Sequence, residues 1–137
     1  MINRRQVLQL SAGALATRSL LLSADPGVSR TKTLIRRPIP GSGELVPVIG
    51  MGTSRTFDAP DDPDSLANLT AVMRAFVAGG GEVIDTSPMY GRAEARVGDV
   101  LRAMEPRPEV FAATKVWTTG REQGIEQMEQ SARRMGV

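Results

Sequence analysis

The chain has 137 residues, enough for one domain with a hydrophobic core, and its 41% apolar residues with 14 Gly and 9 Pro exclude disordered and fibrous classes. It contains neither Cys nor His, which excludes a disulfide framework, a thiolate or imidazole metal site and the commonest general base. The formal charge of +2 comes from Arg4, Arg5 and Arg18 in an acid-free stretch of 24 residues, and the remaining 14 basic and 15 acidic side chains give a nucleic acid no field to follow.

Residues 1–24, MINRRQVLQLSAGALATRSLLLSA, pair Arg4-Arg5 with Val7, Leu8 and a mainly small and apolar stretch, and resemble a bacterial twin-arginine export signal. Arg18 interrupts the apolar stretch, which is too short for a stable membrane span. Cleavage after Ala24 would place the protein in the periplasm; without a working leader it stays in the cytoplasm. Residues 25–33, DPGVSRTKT, read as a linker, leaving 34–137 as the folded domain.

Leu34–Pro40 and Leu45–Ile49 are short extended runs joined by Gly41-Ser42-Gly43-Glu44, which predicts a hairpin. Ile49–Thr53 (IGMGT) extends the second run into a further strand. Asp61-Asp62-Pro63 offers an N-cap with Pro at the first helical position, and Leu66, Leu69, Val72, Met73, Phe76 and Val77 keep helical spacing until Gly79-Gly80. Val83-Ile84 is a short apolar strand ending at Asp85. The spacing predicts a second helix over Ala95–Met104, through Val97, Val100 and Leu101, stopped by Pro106 and Pro108. Val110–Val116 is the next strand. Thr119 and Glu122 predict a capping box, with Ile125, Met128, Ala132 and Met135 lining one face of a third helix up to Gly136.

Strand and helix alternate three times, and the strands are continuous apolar runs, the pattern of parallel strands covered by helices. Such units fit a (β/α)8 barrel or an open doubly wound sheet. No GxGxxG follows the first strand, which weakens the dinucleotide-binding open sheet. Gly79-Gly80-Gly81 lies between a helix and a strand, the position of a terminator and tight turn rather than of a phosphate loop.

In βα folds, chemistry gathers where strands give way to loops. Asp85, Tyr90 and Lys115 lie at such places, and Thr53 ends the first strand of the series. Singly, each has a structural explanation: a loop cap, a half-buried packing residue, a snorkelling amine. Together they describe something else. A Lys on a buried parallel strand is costly unless its charge is paired, and Asp85 on the neighbouring strand is the obvious partner. An ammonium beside a phenol favours phenolate, which makes Tyr90 a proton donor that needs no His.

The segment GGGEVIDTSPMYGRAEARVGDVL, followed by VFAATKVW, resembles the aldo/keto reductase family from about Ile35 to the last residue. The resemblance implies the N-terminal portion of a (β/α)8 TIM barrel, about three βα units preceded by a β-hairpin that plugs the N-terminal end. It implies an NADP(H)-dependent oxidoreductase, with NAD(H) as the alternative cofactor, that reduces small aldehydes or ketones to alcohols by hydride transfer. Tyr90 would be the proton donor, Lys115 would acidify it and Asp85 would hold Lys115. Gly52, Thr53 and Asp85 would lie against the nicotinamide ribose, and Trp117 would wall the substrate pocket or serve only as a packing residue. The family's fourth catalytic residue is a His ending the fourth strand, and this chain has none. The expectation is therefore a truncated barrel domain, poorly stable and inactive alone. Two other functions compete with reduction. One is a non-catalytic binding or regulatory protein of the same fold, which has no need of a tuned Tyr-Lys-Asp set. The other is a barrel enzyme using the lysine for Schiff-base chemistry, which leaves Tyr90 and Asp85 without roles.

Overall fold

Hydrogen bonding sorts the strands into two sheets. The computed structural model describes residues 33–137; the expected leader, and the expected linker up to residue 32, lie outside the described residues. β1 (Arg36–Pro38) and β2 (Leu45–Pro47) pair antiparallel, with Arg36 opposite Pro47 and Pro38 opposite Leu45. The hairpin closes through Ile39 N–H to the Glu44 carbonyl and Gly43 N–H to the Ile39 carbonyl, both 2.8 Å. Gly43 sits at φ 74, where a side chain would be strained. Outside its own pairing, the hairpin is tied to the rest by a bidentate Arg36–Glu82 ion pair, with N···O distances of 2.5 and 2.6 Å.

β3 (Gly50–Gly52), β4 (Val83–Asp85) and β5 (Phe111–Ala113) form a parallel sheet in sequential order. α1 (Pro63–Ala78) and α2 (Ala93–Arg102) make the two crossovers, and α3 (Arg121–Met135) follows β5. Met51, Ile84 and Ala112 stand in one row across the sheet. That row faces the helices: Ile84 is fully buried among Phe57, Leu69, Met73, Val97, Val100, Leu101 and Met135, with Met51 and Ala112 packed against the same core. Side chains alternate along a strand, so the next row, Gly52, Asp85 and Ala113, faces the other way.

α1 begins as its sequence dictates. Asp62 accepts the Ser65 N–H at 2.8 Å and Pro63 opens the helix. The Ser65 amide, foremost, holds the Asp62 carboxyl below its ordinary value. At the other end Gly81 lies against the Phe76 ring, where a Cβ would come within 2.2 Å of a ring carbon. The glycines here do serve as a terminator and tight turn. α2 packs closely on α3 at Gly98, where a Cβ would stand 2.1 Å from the Arg134 carbonyl oxygen.

Three details depart from the sequence reading. β5 ends at Ala113 rather than Val116, because β4 stops at Asp85 and the Thr86 N–H closes the ladder on the Ala113 carbonyl at 2.8 Å. The capping box at Thr119 and Glu122 does not form: the cap position of α3 is Gly120, at φ 91, which leaves Thr119 one residue too early, and no side chain caps the helix. The buried face of α3 is Gly124, Ser131 and Met135, while Ile125 and Met128 are exposed. The helix is turned so that Arg134, not the Ile125–Met128 stripe, meets α2. Among the described residues no helix is long and apolar enough to cross a membrane.

Candidate active site

The register of the parallel sheet builds the site. Residues two apart on an extended chain share a face, so Lys115 follows Ala113 onto the side that carries Asp85. Its ammonium donates to both Asp85 carboxylate oxygens, at 3.0 and 2.9 Å, and to the Thr86 carbonyl at 2.9 Å. The same nitrogen stands 5.0 Å from the centroid of the Tyr90 ring, within cation–π range. The Asp85 hydrogen bond is the main cause that keeps the Lys115 ammonium above the ordinary lysine value; burial opposes it and Tyr90 adds a smaller push in the same direction.

Tyr90 reaches this position through a turn. Its N–H donates to the Ser87 carbonyl at 3.0 Å, the Ser87 hydroxyl accepts the Met89 N–H at 3.3 Å, and the Tyr90 carbonyl accepts the Ala93 N–H at the start of α2. Asp85 is fixed from the other side. Its main-chain carbonyl accepts both the N–H and the hydroxyl of Thr53, at 3.1 and 3.0 Å. Asp85, Tyr90 and Lys115 therefore meet at one rim, the C-terminal ends of β4 and β5.

The burial expected of Lys115 is not observed. Lys115 lies two residues beyond the end of β5, with a side chain 39% exposed against 51% for Asp85. The pair works in a largely solvated setting, where an ion pair contributes about 1 kcal/mol or less. Thr53 is fully buried, its hydroxyl committed to the Asp85 carbonyl. Gly52 is open: a Cβ built there meets nothing within 4 Å. A carboxylate with exposed oxygens beside an unobstructed glycine is a donor-accepting surface with room above it, which fits the hydroxyl groups of a cofactor ribose. Trp117 lies beyond β5 and is 64% exposed.

Four further side chains surround the rim without having been singled out in the sequence: Glu94, Thr114, Gln127 and Arg134. Glu94 left a readable signal. It lies three and seven residues before Val97 and Leu101, on the buried face of α2, where a carboxylate has no place unless it is hydrogen bonded. Thr114, Gln127 and Arg134 left none, since their contacts depend on how α3 docks. A broad cleft also opens at the opposite end of the strands, lined by Arg36, Glu82, Arg107 and Phe111 under the hairpin. It lies away from the strand ends where parallel βα folds place their chemistry.

Residues 48–137 match the aldo/keto reductase family. The glycerol 2-dehydrogenase (NADP(+)) of Saccharomyces cerevisiae is 32% identical over 97 residues, covering 70% of this chain and 28% of that protein. An aldo/keto reductase from Klebsiella pneumoniae, solved in complex with NADP and acetate, is 31% identical with a TM-score of 0.56, over 71% of this chain and 34% of that one. An aldo-keto reductase from the same organism, solved in complex with NADPH, is 28% identical with a TM-score of 0.56, over 76% of this chain and 37% of that one. This chain thus spans between 28% and 37% of the length of these relatives. The solved structures decide between open sheet and barrel, and the fold is the N-terminal portion of a (β/α)8 barrel. With residues 48–137 matching throughout, the chain belongs to the aldo/keto reductase family.

Proposed function

We propose that the chain carries the proton-donating side of an NADP(H)-dependent oxidoreductase that interconverts small aldehydes or ketones and their alcohols. One observation carries the reading: the Lys115 ammonium is held between the Asp85 carboxylate and the face of Tyr90. The NADP and NADPH bound by the Klebsiella pneumoniae relatives support the choice of cofactor, with NAD(H) as the alternative.

The cofactor, when bound, supplies the hydride. In the reducing direction Tyr90 gives its phenolic proton to the carbonyl oxygen, and Lys115 stabilises the phenolate left behind. Asp85 keeps Lys115 in place by accepting two of its hydrogen bonds. Gly52 and the Asp85 carboxylate would hold the ribose, and Thr53 would act there by fixing the Asp85 carbonyl rather than by its own buried hydroxyl. Trp117 walls the substrate pocket. No His occurs among the 137 residues, so the proposed turnover is that of a whole barrel that supplies one. The Arg4-Arg5 leader supports export to the periplasm.

The test joins residues 34–137 to the C-terminal strands of the Klebsiella pneumoniae reductase and follows aldehyde-dependent NADPH oxidation. Tyr90→Phe should lower kcat by about a hundredfold or more, while the NADPH dissociation constant stays unchanged. Turnover indifferent to Tyr90→Phe would refute the proton-donor role, whereas a folded fusion that binds NADPH and shows no turnover at all would favour a non-catalytic binding or regulatory protein of the same fold.

A further inference from the structure

Lys115 stands at an exposed rim on residues 114–117, which pair with no strand among the described residues. Besides the bonds of its ammonium to Asp85 and Thr86, contacts from the helix layer hold the chain around it. Two flank it. On one side the Thr114 hydroxyl donates to Glu94 Oε1 at 2.8 Å, and Arg134 from α3 donates to Glu94 Oε2 at 3.1 Å. On the other side the Gln127 side-chain amide of α3 grips the main chain of Trp117 at both ends: its Oε1 accepts the Trp117 N–H at 2.5 Å and its Nε2 donates to the Trp117 carbonyl at 3.3 Å.

Glu94 is 2% exposed, on a helix face otherwise built of Ala93, Val97, Gly98 and Leu101. An apolar side chain would fill that place without the desolvation cost of a carboxylate, so the carboxylate is justified only by directed bonds. Hydrophobic packing tolerates sliding along a strand; a hydrogen bond from Thr114 to a buried, doubly held acceptor does not. Neighbouring residues on extended chain point to opposite sides, so turning Thr114 toward α2 turns Lys115 toward Asp85.

We infer that Glu94, acting through Thr114, and Gln127, acting through Trp117, are positioning residues that aim Lys115 at Asp85 and Tyr90. What this does for catalysis rests on the function proposed above; the placement of Lys115 does not. Lys115 is thus aimed from the outer helix layer.

The chain has two lysines, Lys32 and Lys115, so carbon-13 labelling of lysine gives two side-chain signals whose titration can be followed by NMR in the full chain. Lys32→Arg assigns the two signals, and Lys115 should titrate above the ordinary lysine value of 10.5. Thr114→Val, which keeps the shape and removes the hydroxyl, should lower the titration of Lys115 toward the ordinary lysine value, Thr114→Ser should restore it, and Gln127→Ala should lower it in part. In the barrel fusion, Thr114→Val should lower kcat roughly tenfold with KM unchanged. An unaltered Lys115 titration in both Thr114→Val and Gln127→Ala, or a wild-type Lys115 that titrates at the ordinary lysine value, would overturn the inference. A fusion that is inactive although Lys115 responds as described would count against the proposed reaction alone.

Discussion

Replacing Gly98 by Ala probes the contact on which the outer layer depends. A Cβ at this position would lie 2.1 Å from the Arg134 carbonyl oxygen, and ordinary contact begins at 3.4 Å. α2 and α3 would have to separate by about 1.3 Å, and the obstructing atom is helix backbone, which cannot rotate aside. Overpacking of this kind costs about 1–3 kcal/mol, and a rigid obstacle puts Gly98→Ala at the upper end. Ala recovers about 1 kcal/mol through its better helix propensity. The net loss is about 1–2 kcal/mol, which in a domain of this size lowers Tm by roughly 5–15 °C. Thermal unfolding of wild type and variant, followed by helical circular dichroism in the same buffer, reads the difference. A variant as stable as wild type, or more so, would show that the two helices do not touch at Gly98. The axis from Glu94 to Arg134 would then lose its geometric basis.

Two pH effects follow, one from the Asp62 cap and one from the Lys115–Asp85 pair. The folded state holds Asp62 below the carboxyl value of 3.8 that it has when unfolded, so the cap stabilises above that value and is lost as pH falls through the lower folded one. Asp62→Ala should therefore be less stable than wild type at neutral pH, with the gap closing on acidification; a gap that persists in strong acid would refute the cap. Lys115 is shifted the other way, above its unfolded value of 10.5. Its pairing stabilises fully below that value and fades as pH rises through the higher folded one. Asp85→Asn should thus lose at most about 1 kcal/mol, evenly across neutral and mildly alkaline pH, because the pair is more than a third exposed. Urea unfolding at several pH values checks both.

The centre of the site was legible because it depends on short-range regularities. Asp85 and Tyr90 are joined by one turn, and Lys115 follows from strand alternation once β4 and β5 are read as parallel neighbours. The hairpin, α1 and its Asp62 cap were legible for the same reason. What stayed hidden depends on how helices dock. The spacing of Ile125 and Met128 says that α3 is amphipathic; it does not say that Gly98 lets α2 in so close that Arg134 takes the contact instead. Likewise the length of an apolar run such as VFAATKV does not reveal where the neighbouring strand gives out, and that point leaves Lys115 in water rather than in a buried ladder.

Arg36 and Glu82 give the hairpin an electrostatic attachment at the surface, beside the burial of Pro47 and the contact of Leu34 with Gly80. Such an attachment weakens with ionic strength, whereas the helix-covered core, held by apolar burial, is indifferent to it. Hydrogen exchange should therefore respond to salt more at the hairpin amides than at those of β4.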